Sequence, residues 1–513
     1  MHRHFSLHER SSGVLLHLSS LPGPFGVGDL GPEACAFADF LSHARQRWWQ
    51  MLPVSPEGPG DSPYHSTSAS AGNPLFIGLD GLADCGLIDR KDAEHGHKTG
   101  VPGRADFGHA HHIKGRVFGK AFARFSAEGG AQRSGEFEGF CRANAEWLEE
   151  FALFAAIKRH HGGAPWSSWE EGLRKRRPED LDRVRGSLAR EIEFERFLQY
   201  EFDRQWRGLR AHAASKGVGL IGDVPIYVSH DSADVWAHQD LFFLDGEGRS
   251  TVVAGVPPDY FSKTGQLWGN PLYRWDAHRG QGFSWWISRL RKAFERFDVV
   301  RLDHFIGFQR YWEIPAGAET AVGGRWMPGP GEDIFRQALA VLKGGQLIAE
   351  DLGAVTDEVL RLRDTFGFPG MRVLQFGFGS DSRNVHLPHN FTPNSVVYTG
   401  THDNDTAAGW FFGDEAPAEA KHREEYKKER AFVLRYMNSD GWEVHWDLIR
   451  LAMASIAKTA VFPAQDLLGL GDAARMNRPG KTEGNWLWRL EPGQLTHAIA
   501  NRLADLTSTY GRG

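Results

Sequence analysis

Three cysteines in 513 residues, Cys35, Cys85 and Cys141, are too few and too scattered for a disulfide framework, and no CxxC pair offers zinc ligands. No stretch approaches the ~18 consecutive apolar residues of a membrane helix. The opening residues, MHRHFSLHERSSG, carry charge but no apolar run and no small-residue cleavage site. No export signal is therefore expected, and the expected location is cytoplasmic. A net charge of −6 leaves no basic footprint, and the one cationic run, RKRRPEDLDRVR at 174–185, is interleaved with acids. Nucleic acid is accordingly not an expected partner. Internal repeats, low-complexity tracts and Pro/Gly/Ser linkers are also missing, so residues 1–513 read as one unit.

What is abundant is aromatic: 18 Trp and 34 Phe. Most must be core, because large rings bury the most area per residue, although exposed Trp and Tyr also stack on flat sugar faces. Short apolar runs recur at long intervals: GVLLHL (13–18), RWWQMLPV (47–54), GVGLIGDV (217–224), FDVVRLDHF (297–305), GQLIAEDL (345–352) and SVVYTGTHD (395–403). Amphipathic helices lie between several of them. The clearest spans about 181–215, where Phe194, Phe197, Leu198, Phe202, Trp206 and Leu209 recur at steps of three or four, and Gly217 follows as its stop. Non-alternating apolar strands separated by helices predict a parallel sheet buried on both faces.

An open doubly wound sheet and a closed (β/α)8 barrel both meet that description. Polar residues sit just beyond the apolar part of four strands spread over 180 residues: Asp223, Asp303, Glu350 and Asp403. Convergence from several strand ends favours the TIM barrel, since an open sheet gathers its site at one switch point. Two stretches break the rhythm and read as insertions in the βα loops. Residues about 85–180 are polar and mostly helical, and about 228–285 are loop-rich, with VAGVPPDYFSKTGQLWGNPLYRW at 253–275. Asp259, Tyr260, Phe261 and Trp268 concentrate aromatics in this Gly- and Pro-bounded segment, which is expected to overhang the barrel mouth as a lid.

Arg301 and Asp303 are two apart on a strand and so share a face; the cation keeps Asp303 ionised, which suits a nucleophile. Glu350 and Asp351 are neighbours and face opposite ways, so only one can look into a site. In THDND, Asp403 supplies a third acid beside His402. Three acids at one mouth fit glycoside chemistry, which needs a carboxylate nucleophile and a protonated acid. His402, His304, Asp303 and Asp403 offer, alternatively, a mixed N/O donor set for a divalent metal. No HExxH, EF-hand loop, Walker A or G-x-S-x-G is present, and GLGDAA at 469–474 has too little chain after it for a nucleotide-binding half.

Several long stretches resemble the amylomaltase type of 4-alpha-glucanotransferase, relatives of the α-amylases. They are LLHLSSLPGPFGVGDLGPEA, LPVSPEGPGDSPYHSTSASAGNP, IGDVPIYVSHDSADVWAH, VAGVPPDYFSKTGQLWGNPLY, VRLDHFIGF, IAEDLG, YTGTHDND and DLLGLGDAARMNRPGKTEGNWLWR, and they cover nearly the whole chain. By that resemblance Asp303 is the expected nucleophile, Glu350 the general acid/base, and Asp403 the acid that holds sugar hydroxyls. Arg301, His304, His402 and Asp223 are the expected surrounding shell, and Tyr64, Trp268 and Asn477 the expected glucan contacts. The resemblance implies transfer of α-1,4-glucan segments by a retaining double displacement, with glucans and glucose as partners and with no cofactor or metal. It also implies the compact bacterial form, without a large N-terminal extension or the C-terminal β-domain of true amylases. A hydrolase that gives the same intermediate to water, or a glycan-binding barrel that has lost catalysis, are the rival expectations.

Overall fold

The computed structural model describes residues 5–94, 101–128, 131–258, 262–413 and 420–513. Twelve strands occur among them: β1 (Ser11–Leu15), β2 (Trp48–Gln50), β3 (Gly219–Pro225), β4 (Val252–Val256), β5 (Gln266–Pro271), β6 (Val299–Asp303), β7 (Arg310–Pro315), β8 (Arg325–Pro328), β9 (Leu347–Ala349), β10 (Gly370–Val373), β11 (Ser395–Tyr398) and β12 (Thr459–Pro463). Eight of these, β1, β2, β3, β6, β9, β10, β11 and β12, pair in parallel in chain order and close into a barrel, with Ser11 of β1 opposite Thr459 of β12. This is the (β/α)8 architecture. Every residue of β1, β2, β9, β11 and β12 is buried, which is why these strands read as unbroken apolar runs and not as alternating ones.

The six sequence runs each hold a barrel strand; β10 and β12 complete the barrel from GMRV and TAVFP. The helix read over 181–215 is two helices, Pro178–Ser187 and Ala189–Ser215, parted at Leu188 where the backbone leaves helical geometry (φ −110°, ψ 23°). Gly186 and Ser187, poor helix formers, mark the break. The second helix buries the expected apolar face together with Gln199 and Gln205. Their amides bond the main chain of Gly72 and Gly78, fixing the loop that follows β2. Gly217, at φ +79°, ends the helix, and the chain turns directly into β3.

Between β2 and β3 lies a helical region that includes Phe107–Glu128, Ala131–Ala143 and Ala145–His160. Within 228–285, which reads as loop, β4 and β5 form, and they join β7 and β8 in an antiparallel sheet of order β5-β4-β7-β8. Its central pairing sets Gly255 opposite Trp312, more than fifty residues away, so no local pattern announces it. No strand follows β12 among the described residues; the last helix, His497–Thr509, packs against the first, Pro32–His43. No helix among the described residues is long and apolar enough to cross a membrane.

Candidate active site

Parallel strands deliver their polar residues at one end. Asp223 lies near the end of β3, Asp303 ends β6, Glu350 directly follows β9, and Asp403 stands five residues past β11. The β3–β6 register sets Asp223 opposite Arg301. Arg301 Nη1 donates to both Asp223 oxygens (2.8 and 2.7 Å), and Nη2 lies 2.8 Å from Asp303 Oδ1. Burial works against the guanidinium charge, but Asp223 and Asp303 outweigh it and hold Arg301 well above its ordinary value. Burial likewise pushes Asp223 up against the pull of Arg301. Besides Arg301, Asp223 accepts from the Tyr64 hydroxyl at 2.7 Å.

Because Tyr64 gives its proton to Asp223, its oxygen accepts from His402 Nε2 at 2.8 Å, and the two rings stack with centroids 5.2 Å apart. A buried chain Asp303–Arg301–Asp223–Tyr64–His402 thus runs around the mouth. Asp303 keeps its carboxylate partly open, the side chain being 26% exposed.

Glu350 and Asp351 part as alternation requires. Glu350 turns inward, where Oε2 accepts from the His304 backbone N–H at 2.6 Å and Oε1 from Leu352 N at 3.1 Å. Burial first, and then the Asp303 carboxylate, push Glu350 well above the usual carboxylate range, so it is held protonated. Asp351 turns outward to Arg363 and the Met371 backbone N–H and takes no part in the site. His304 has a left-handed backbone, φ +51°, rare for a residue with a side chain. Burial lowers its imidazole to about 4, and the Trp268 ring packs edge-on against it at 4.8 Å. Trp268 comes from β5, so the small sheet reaches the barrel mouth through this residue. Asp259, Tyr260 and Phe261 lie outside the described residues.

The THDND cluster divides in two. Asn404 accepts from the backbone and hydroxyl of Thr401, both at 2.9 Å, and Asp405 accepts from Thr406 N at 2.7 Å; these residues shape the turn. Thr406 then caps the helix Ala407–Phe412 by accepting from Gly409 N. Only His402 and Asp403 face the mouth. Asn477, 74 residues further on, donates its side-chain amide to Asp403 Oδ1 at 2.6 Å and its backbone N–H to the His402 carbonyl at 3.0 Å.

Sequence reasoning missed four neighbours. Trp486 stands 5.8 Å from the Tyr64 ring and 6.1 Å from His402, and Arg475 donates to the Asp403 carbonyl at 2.7 Å. Tyr227 lies 6.4 Å from the His304 ring. His17, lowered to about 3 by burial, lines a small cavity with His402. The first two sit in or beside ARMNRPG and EGNWLW, whose Asn, Arg and Trp mark a polar loop rich in donors. No group of three His, Cys, Asp or Glu among the described residues is arranged to hold a metal ion.

A carboxylate paired with a buried arginine, next to an acid that burial pushes toward its neutral form, at the C-terminal end of a parallel barrel is an arrangement suited to glycosidic-bond chemistry. The family model of glycoside hydrolase family 77, 4-alpha-glucanotransferase, matches residues 16–496, and the chain belongs to that family. It is 50% identical over 512 residues to the 4-alpha-glucanotransferase of Thermus thermophilus, covering 98% of this chain and 99% of that one. To the chloroplastic/amyloplastic 4-alpha-glucanotransferase of Solanum tuberosum it is 42% identical over 514 residues, covering 98% of this chain and 86% of the other. Among solved structures, the amylomaltase from Streptococcus agalactiae in complex with acarbose matches with a TM-score of 0.93 at 37% identity, covering 98% of this chain and all of that one.

Proposed function

We propose that Asp303, Glu350 and Asp403 carry out the transfer of an α-1,4-glucan segment to the 4-hydroxyl of another glucan or of glucose. Asp303 attacks the anomeric carbon while Glu350 protonates the departing glycosidic oxygen. The glycosyl group becomes an ester on Asp303, and the shortened glucan leaves. Glu350, now a base, removes the proton from the incoming 4-hydroxyl, whose oxygen displaces Asp303 and restores the α configuration. Asp403, held by Asn477, accepts from sugar hydroxyls as positive charge builds at the ring; Arg301 holds Asp303 in place through its Nη2. Asp223, Tyr64, His304 and His402 orient these groups, and Trp268 offers a flat face to a glucose unit.

The observation that carries this reading is the pairing of unlike acids: Asp303 held beside a guanidinium, and Glu350 kept neutral by burial and by Asp303 itself. The acarbose bound by the Streptococcus agalactiae amylomaltase supports glucans as the substrate class. We assign residues 1–513 to one catalytic domain with insertions at about 85–180 and 228–285, the second contributing Trp268 to the mouth. Three scattered cysteines, none of them in a disulfide, fit a cytoplasmic enzyme. Maltotriose is the test: transfer yields glucose plus a ladder of longer maltodextrins with little net gain in reducing ends. Reducing ends that rise one for one with bonds cut would replace transferase by hydrolase.

A further inference from the structure

All 18 tryptophans are among the described residues, and Trp442 alone is exposed, at 85%. An indole this open presents a flat apolar face, with one N–H donor, to any ligand that reaches it. The turn that carries it is rigid. Trp442 N donates to Asp440 Oδ1 at 3.0 Å, Gly441 N to Ser439 Oγ at 2.9 Å, and Ser439 in turn to Asp447. Gly441 has φ +79° and lies so close to the Phe411 ring that a Cβ there would come within 3.1 Å of it. Phe411 is buried and touches Phe412 edge-on at 5.0 Å; Phe412 is itself 52% exposed. Phe412 and Gly441, the residue before Trp442, therefore both adjoin the buried Phe411 ring.

Topology places this patch on the catalytic end of the barrel. The helix Val444–Ala454 starts two residues after Trp442 and leads to the beginning of β12 at Thr459, so it runs against the strands and its first turn stands where they finish. The helix that ends at Phe412 starts four residues after Asp403. The polar neighbours are charge-paired: Glu443 and Arg502 bond through two contacts of 2.7 Å, both half-exposed. A flat indole beside paired, hydrogen-bonding charges suits a neutral ligand with an apolar ring face and a hydroxylated edge.

We propose that Trp442, with Phe412 on the neighbouring helix end, is a second docking point for the α-1,4-glucan chain, gripping a part of the polymer away from the bond being cut. The inference rests on the glucan reading above, since a chain of many glucose units reaches beyond one ring of acids and a short one does not.

Native gels with and without glycogen, run beside maltotriose assays, test it with the full chain. Trp442→Ala removes an exposed ring and leaves the core untouched. The expected result is retardation by glycogen weakened about three- to tenfold, the size of a lost aromatic stack, with the maltotriose rate unchanged and the rate on dilute amylose lowered in step with binding. Phe412→Ala should weaken retardation less. Equal retardation of Trp442→Ala and wild type, no retardation of the wild type, or a maltotriose rate that falls in parallel would each overturn the proposal. So would a dimer in gel filtration that Trp442→Ala dissolves while glycogen retardation persists, because the ring would then face a second copy. A wild type that glycogen retards but that does not disproportionate maltotriose would instead overturn the function proposed above.

Discussion

On the β3–β6 side of the mouth, Asp223, Arg301 and Asp303 form a chain of charges in which the arginine is buried and each partner is held at 2.7–2.8 Å. On the β11 side, Asp403 is 44% exposed; its Oδ1 accepts from an amide of a loop 74 residues away and lies 3.5 Å from His402 Nε2. The first arrangement sits in a low-dielectric interior where no member can be removed without stranding another charge. The second sits in water, where one hydrogen bond has a modest net value. One side of the site is therefore built to fix charge, and the other to let a carboxylate adjust as sugar hydroxyls arrive.

The comparison can be broken at three depths. Glu350→Gln, which replaces the acid that burial and Asp303 keep neutral, should cost about a thousandfold or more on maltodextrins. In the wild type, activity should fall as pH rises through the raised Glu350 pKa, because the acid must be protonated to act. On a glucosyl fluoride, which leaves without a proton, the variant should recover the first step, read as a burst of fluoride without the alkaline limb, while turnover stays slow because no base activates the acceptor; the absence of a burst would mean that Glu350 is not the acid.

Arg301→Met comes next. It strands Asp223 and Asp303 and should destabilise the fold by about 3–5 kcal/mol, read as a lowered Tm, besides lowering activity. A variant as stable as the wild type would show that the charge chain is not a unit. The smallest effect belongs to the open side. Asn477→Ala removes one hydrogen bond of about 1 kcal/mol, so kcat should drop several-fold with Tm unchanged. A loss as large as that of Arg301→Met would erase the distinction between the two sides.

The barrel was legible because its strands are buried on both faces and so read as apolar runs, and the acids because parallel strands present them at one end. β10 escaped notice because GMRV is four residues long with an arginine inside it, and β12 because TAVFP runs straight into Pro463. The antiparallel sheet stayed hidden because Gly255 finds Trp312 only after β6 has been threaded through the barrel. Glu350 and Asp351 could be told to face apart, yet which one turns inward depends on Arg363, a helix residue that takes Asp351 outward. Asn477 came from family likeness alone. Trp486 and Arg475 reach the mouth from the long irregular segment after β12, where no periodicity points at anything.

His304 is a single residue with two clients. Its backbone nitrogen continues directly from Asp303, and the same N–H is the donor that pins Glu350. The two reacting carboxyls are thus gauged against each other by one peptide link and one hydrogen bond, not by the slower compromise of a whole barrel. Stereochemistry in this chemistry follows from that gap, since a wider one admits water and inverts the sugar. A residue inserted after Asp303 would lengthen the gauge itself, so this link should tolerate a change of the His304 side chain better than a change of length.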